Sequence, residues 1–172
     1  QLQKDVLIAS GTAPIDWIDA SLRIAPVIPG VTRLDAGTLI DTSVDALARS
    51  IEAAIPMFIK GSTEFISGGE QIIHAQLGRL TSLDALGRVA RRQFTVELIG
   101  EADTDGRPEL NLPLSERRAA RVLSMLQAQP LEHVTFTAIG IGSREKADPA
   151  AGEEGKQRNR RVSFRITSAD RR

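Results

Sequence analysis

Three stretches in the second half of the chain alternate apolar and polar residues with period two. QFTVELIG sets Phe94, Val96 and Leu98 on one side, VTFTAIGIG sets Val134, Phe136 and Ala138, and RVSFRI sets Val162, Phe164 and Ile166. That period belongs to strands covered on one face only. Between and before them the period changes to that of a helix. Ile73, Leu77 and Leu80 recur at helical intervals in a long helix starting from Ser67, and Ala119, Val122, Leu123 and Leu126 do so in one expected to begin at Ser115 and end at Pro130. Strands separated by helices, with the last strand reached through a polar, loop-like segment from Ser143 to Gln157, define an α/β chain. Its expected form is an α+β two-layer sandwich, a mixed sheet with helices packed on one face.

The first half repeats the alternation on a smaller scale. VLIASGTA (Val6 to Ala13) reads as a strand and Pro14 suits a helix first turn. Ile15, Ile18, Leu22 and Ala25 then make a helical stripe that Pro26, Pro29 and Gly30 stop, and VTRLDAG gives a short second strand. Such a β-α-β unit is too small to close a core alone and is expected to pack on the remainder of the chain. A further helix has Asp41, Thr42 and Ser43 as cap candidates and Val44, Leu47, Ala48, Ile51 and Ile55 on one stripe; it stops near Pro56, and PMFIKG comes next as a strand. The chain is therefore divided into residues 1–40 and residues 41–172.

Composition narrows the function classes. Lys+Arg and Asp+Glu both total 22, so net charge gives no reason to expect a polyanion or an anionic membrane as main partner. Absence of Cys removes disulfides, thiol catalysis and Cys-based zinc sites. No apolar run approaches the roughly 20 residues that cross a bilayer, and the opening QLQKDVLIASG lacks the pattern of a signal peptide. Any membrane anchor is expected outside this chain.

One segment carries chemistry. GEADTDGRPELNLPLSERRAARVLSML, from Gly100 to Leu126, resembles the signature of OmpA-like domains through Asp103, Gly106, Asn111, Leu114, Ser115, Arg118 and Ala119. AIGIGS resembles the family's Gly-x-Gly strand, GKQRNRRVSFRI (Gly155 to Ile166) its closing Asn-Arg-Arg-Val motif, and FIKGSTEFISGGEQII its opening strand and helix. The likeness covers about residues 56–166, and several motifs in the right order are far more specific than one. The resemblance implies a βαβαββ domain over residues 41–172, located in the periplasm as part of a membrane-anchored envelope protein. GTAPIDWIDASLRIAPVIPGVTRL in turn resembles part of a BON-type unit, which makes residues 1–40 a β-α-β companion and an expected seat for envelope protein partners.

The family resemblance also implies a ligand, the diaminopimelate of the peptidoglycan stem peptide, held without a covalent bond. Its far end is a free amino acid, so a site needs an anion for the ammonium and a bidentate cation for the carboxylate. Asp103 and Arg118 are those groups. Ser115 is expected as the N-cap, with Arg118 in the first turn and Asn111 in the connecting loop fixing orientation. Asn159 and Arg160, at the start of the last strand, complete the pocket, with Lys156 beside it. No cofactor, metal or nucleic acid is expected.

Two departures bear on affinity. Ala102 stands where the family has a Thr before the key Asp, and Ile59 follows Phe58 where an Asp is usual. They motivate an alternative, a structural or protein-interaction module with a degraded pocket. A nucleic-acid reading of RVARR and RNRR is weaker, because aromatics at 3% offer few stacking platforms. An enzyme reading lacks a nucleophile elbow, a phosphate-binding loop and metal-spaced His. Glu101, Asp103 and Asp105 are read as ligand contacts and loop charge, Arg161 as a solvated strand-end cation, Trp17 as a core or contact residue, and His74 and His133 as structural.

Overall fold

The computed structural model describes residues 2–3, 5–143 and 152–170. The strand with the clearest alternation, that of QFTVELIG, lies at the centre of its sheet. Counting strands and helices in chain order, the N-terminal half holds β1 (Leu2–Gln3), β2 (Val6–Ala13), α1 (Ile15–Ile24), a 3-10 turn at Ala25–Val27, β3 (Arg33–Asp41) and α2 (Thr42–Glu52). The rest holds α3 (Gly69–Ala90), β4 (Arg92–Gly100), α4 (Pro108–Leu126), β5 (Val134–Gly140), α5 (Glu153–Asn159) and β6 (Val162–Asp170).

β4 pairs in parallel with β5 and antiparallel with β6, giving a mixed sheet of order β5-β4-β6. Phe94, Val96 and Leu98 are fully buried on one face, under α3 and α4. The opposite face carries polar cross-strand pairs instead: Thr95 and Thr135 hydroxyls 3.3 Å apart, and Arg165 Nη1 3.2 Å from Glu97 Oε2. One face packed and one polar is the two-layer arrangement expected from the alternation. The helices come very close to the strands where side chains vanish. A Cβ on Gly100 would lie 2.0 Å from the Ser115 carbonyl oxygen, and one on Gly140 would lie 2.4 Å from the Glu116 nitrogen.

α2 belongs to this core, since Val44 and Ile51 are buried in it, and Gln76 Nε2 of α3 donates to the Ile51 carbonyl at 2.7 Å. Glu52 Oε1 accepts the backbone N–H of Ile166 at 2.9 Å. The N-terminal unit forms its own sheet, β1-β2-β3, in which β2 and β3 run parallel around α1.

Several expectations are corrected. PMFIKG is not a regular strand: Met57 and Phe58 make only isolated bridges, to Arg161 and Phe65. The segment is still tied to the sheet, because Phe58 N–H donates to the Arg160 carbonyl at 2.8 Å and Val162 N–H to that of Pro56 at 3.1 Å. β3 is longer than the short strand read from VTRLDAG. α4 begins at Pro108, not Ser115, so Pro113 lies inside it, where its ring nitrogen cannot donate. The polar segment before β6 holds α5, and its residues 144–151 lie outside the described ones. Trp17 is 51% exposed rather than a core residue.

Candidate functional site

β4 ends at Gly100, and the chain from Glu101 to Arg107 loops across the end of the sheet before α4 starts. Asp103 sits in that loop, 5% exposed. Its Oδ1 accepts the backbone N–H of Asp105 at 3.1 Å, which holds the loop in a tight turn, and its Oδ2 accepts Nη1 of Arg160 at 2.7 Å. Asn111, in the first turns of α4 rather than in the loop, donates from Nδ2 to the carbonyls of Asp103 (3.0 Å) and Asp105 (3.1 Å). Its amide therefore pins the loop backbone from the helix. Gly106 stands beside it with φ +91°, where a side chain would be strained, and a Cβ there would sit 3.4 Å from Asn111 Oδ1.

Arg118 is fully buried in the middle of α4, not in its first turn, so the unpaired N–H groups of a helix start are not near it. Its guanidinium is fixed by three carbonyls from two loops. Nε donates to Ser62 (3.0 Å), Nη1 to Glu101 (2.9 Å) and Nη2 to Ile59 (3.1 Å). Its Cζ lies 5.2 Å from the centre of the Phe58 ring, a cation-π contact. A guanidinium has five N–H groups. Among the described residues no partner takes the second N–H of Nη1 or of Nη2. Burial pulls the Arg118 pKa down to about 10, with Asp103 opposing and Arg160 adding to the shift, so the group stays charged at neutral pH.

Asp103 and Arg118 both line one cavity of about 330 Å³, together with Lys60, Ala102, Asp105, Gly106, Leu110, Asn111, Leu114 and Arg117. The anion and the cation singled out by the motif thus share one surface with space beside them. Ile59 does not enter that lining; its side chain is 45% exposed while its carbonyl holds Arg118. Ala102 is buried, its N–H donating to the Gly142 carbonyl at 2.8 Å.

Asn159 and Arg160 lie at the end of α5, not at the start of β6. Both are buried, and Arg160 spends its guanidinium on neighbours: besides Asp103, Nη2 donates to Glu153 Oε1 (2.9 Å) and Gln157 Oε1 (2.6 Å). Burial, the largest single influence, works against the charge on Arg160, but its bonds to Asp103 and Glu153 outweigh that and raise its pKa. Lys156 Nζ reaches Asp105 Oδ1 at 2.7 Å. Lys60, which the motif reading did not select although FIKG lies within it, reaches the other oxygen, Oδ2, at 2.6 Å. Hydrogen bonds from these two ammonium groups hold the Asp105 carboxyl down at about 2.

Three side chains do something other than expected. Ser115 is no N-cap: its hydroxyl donates to the Leu112 carbonyl at 2.7 Å and accepts the Gly142 N–H at 2.9 Å, tying α4 to the chain after β5. Glu101 is buried away from the cavity lining, bonded by the Ser163 hydroxyl at 2.9 Å and ion-paired with Arg161. Arg161 is accordingly a nearly buried structural partner and not a solvated cation. Such swaps are invisible to spacing, because sequence does not say which neighbour a carboxylate will meet.

Among known proteins, the peptidoglycan-binding protein ArfA of Mycobacterium tuberculosis is 26% identical over 176 residues, covering 95% of this chain and 52% of ArfA. Photosystem I P700 chlorophyll a apoprotein A2 of Gloeobacter violaceus is 34% identical over 77 residues, covering 41% of this chain and 9% of that protein. The chain therefore spans about half the length of ArfA and a small part of the apoprotein. The solved structure of the peptidoglycan-associated lipoprotein from Burkholderia pseudomallei aligns with a TM-score of 0.53 at 19% identity, covering 66% of this chain and 89% of that one, a likeness of fold. The family model that matches residues 57–160 is that of the OmpA family, and this chain belongs to it.

Proposed function

We propose that this chain binds peptidoglycan non-covalently, gripping the free amino-acid end of diaminopimelate in the cavity beside α4, and so anchors an envelope protein to the cell wall from the periplasm. The binding unit is residues 41–172. Residues 1–40 are a companion unit, whose resemblance to a BON-type module is supported by its β2–α1–β3 order. The observation that carries the reading is the shared cavity. A buried guanidinium, pre-set by three carbonyls and with N–H groups to spare, lines the same open space as the carboxylate of Asp103.

Arg118 takes the ligand carboxylate through its remaining N–H groups, and because it is already immobilised little rotamer entropy is lost on binding. Asp103 Oδ1 and Oδ2 face the ammonium while keeping their own bonds. Asn111 sets the loop, Asn159 and Arg160 support it from α5, and Lys156 stands at the rim. These are binding roles; no proton or bond transfer is assigned to any residue.

Titration calorimetry with a diaminopimelate-containing muropeptide tests this. Asp103→Ala and Arg118→Ala should each weaken binding by at least about thirtyfold, the scale of a lost charge-assisted bond. Undiminished affinity in both would overturn the assignment. The second reading, a structural or protein-interaction module with a degraded pocket, is favoured by the hold of Arg160 on Asp103 Oδ2. It requires that the wild-type chain bind no muropeptide.

A further inference from the structure

The carboxylate of Asp105 lines the cavity with each of its oxygens already held by an ammonium group. Lys60 comes from the loop after Phe58 and Lys156 from α5, so three separate segments meet on one side chain. All three side chains keep contact with solvent, at 59%, 30% and 26% for Lys60, Asp105 and Lys156. The backbone of Asp105 is fixed independently, by its N–H to Asp103 and its carbonyl to Asn111. Its side chain is therefore free to swing without moving the loop.

Charge around the cavity is unbalanced. Lys60, Arg117 and Arg118 line it against Asp103 and Asp105, and Lys156 adds a further cation at the side. A zwitterion brings one charge of each sign and leaves that excess in place. A further carboxylate on the ligand reduces it.

We propose that Lys60 and Lys156 form a second carboxylate subsite at the rim of the cavity, and that Asp105 fills it internally until a dicarboxylate ligand displaces it. The inference rests on the peptidoglycan reading and deepens it, since it gives the second carboxylate of diaminopimelate its own partners. Asp105 is then a specificity-determining residue. The exchange swaps one exposed carboxylate for another on the same two ammonium groups, so it costs little, and a ligand without the second carboxylate leaves Asp105 in place. The strong downward shift of the Asp105 carboxyl fits an anion that both lysines already hold.

The test compares meso-diaminopimelate with D-lysine, which is the same molecule lacking one carboxylate, by calorimetry on the whole chain. Asp105→Asn removes the internal competitor at almost constant shape. It should raise the ratio of the two affinities by roughly fivefold, the scale of an exposed ion pair. The double variant Lys60→Gln, Lys156→Gln should lower the ratio towards one. A ratio that stays put in both variants, with binding still weakened by Arg118→Ala, sinks the subsite and leaves the peptidoglycan reading standing. A wild-type chain that binds neither ligand overturns both.

Discussion

The two sheets of this chain use the same kinds of strand and helix and end in opposite conditions. Around β5-β4-β6, side chains from α2, α3, α4 and every strand meet in one cluster in which Phe58, Ile73, Leu80, Phe94, Val96 and Leu98 are fully buried. Around β1-β2-β3 the single helix α1 covers too little. Trp17, Leu22, Ile24, Val27 and Ile28 are all more than 40% exposed, and an apolar groove of about 390 Å³ opens between β2 and α1. Burial grows faster than surface as a unit enlarges. The larger unit can hide a guanidinium and hold it rigid, while the smaller leaves even its tryptophan half in water.

That contrast can be broken where it is strongest. Phe58 packs 4.7 Å from Phe65, centroid to centroid, and supports the Arg118 guanidinium. Phe58→Ala should cost about 3–5 kcal/mol in chemical denaturation. Muropeptide affinity should fall with it, because Arg118 loses its floor. A loss below about 1 kcal/mol would mean that this core is looser than its burial implies. Gly100→Ala attacks the same unit from the sheet side, where the added methyl meets the Ser115 carbonyl oxygen. Overpacking against backbone should cost about 1–3 kcal/mol. Circular dichroism melts of the variant and wild type give the comparison.

How far the contrast was legible depends on what each residue answers to. Phe94, Val96 and Leu98 answer to a sheet with one covered face, and their period revealed it. The helix stripes did likewise for α1, α2 and α3. Ser115 misled because Leu-Ser-x-x-Arg has the look of a helix start, while the true start at Pro108 is marked by a proline at the first position and the breaker Pro113 argued against continuing through it. Its hydroxyl answers to Gly142, a partner 27 positions away. Asp103, Asn111 and Arg118 were readable from the motif, and the structure brings them to one cavity. What the motif could not convey is that Arg160 also donates to Glu153 and Gln157, or that Lys60 joins Lys156 on Asp105. Those pairings are set by how α5 lands on the loops. For Trp17 the core alternative failed for the opposite reason: size and apolarity argue for burial, and α1 leaves it 51% exposed.

The rim of the cavity belongs to neither extreme, and pH separates it from the core. The Asp105 carboxyl should titrate at about 2 when monitored by NMR. Lys156→Gln removes its strongest partner, so the midpoint should climb back towards the ordinary carboxylate value of 3.8. Because the folded-state pKa is the lower one, the bridges favour the fold above about 3.8 and cease to do so as pH falls through about 2. Lys60 is shifted upward, so its share is lost only on the alkaline side, above 10.5. An Asp105 midpoint that ignores the loss of Lys156 would show the bridge to be broken in solution.

The smallest effect is expected where the chain is most exposed. Val27 lies at the end of the 3-10 turn with 79% of its surface accessible, so replacing it removes almost no buried contact. Val27→Ser should change stability by no more than about 0.5 kcal/mol, the usual range for surface positions. Set beside Phe58→Ala, this gives the two ends of one scale within a single chain. Should Val27→Ser instead destabilise the isolated chain by more than about 1 kcal/mol in denaturant titration, its side chain would have to be covered in solution, and the difference between the two sheets would shrink accordingly.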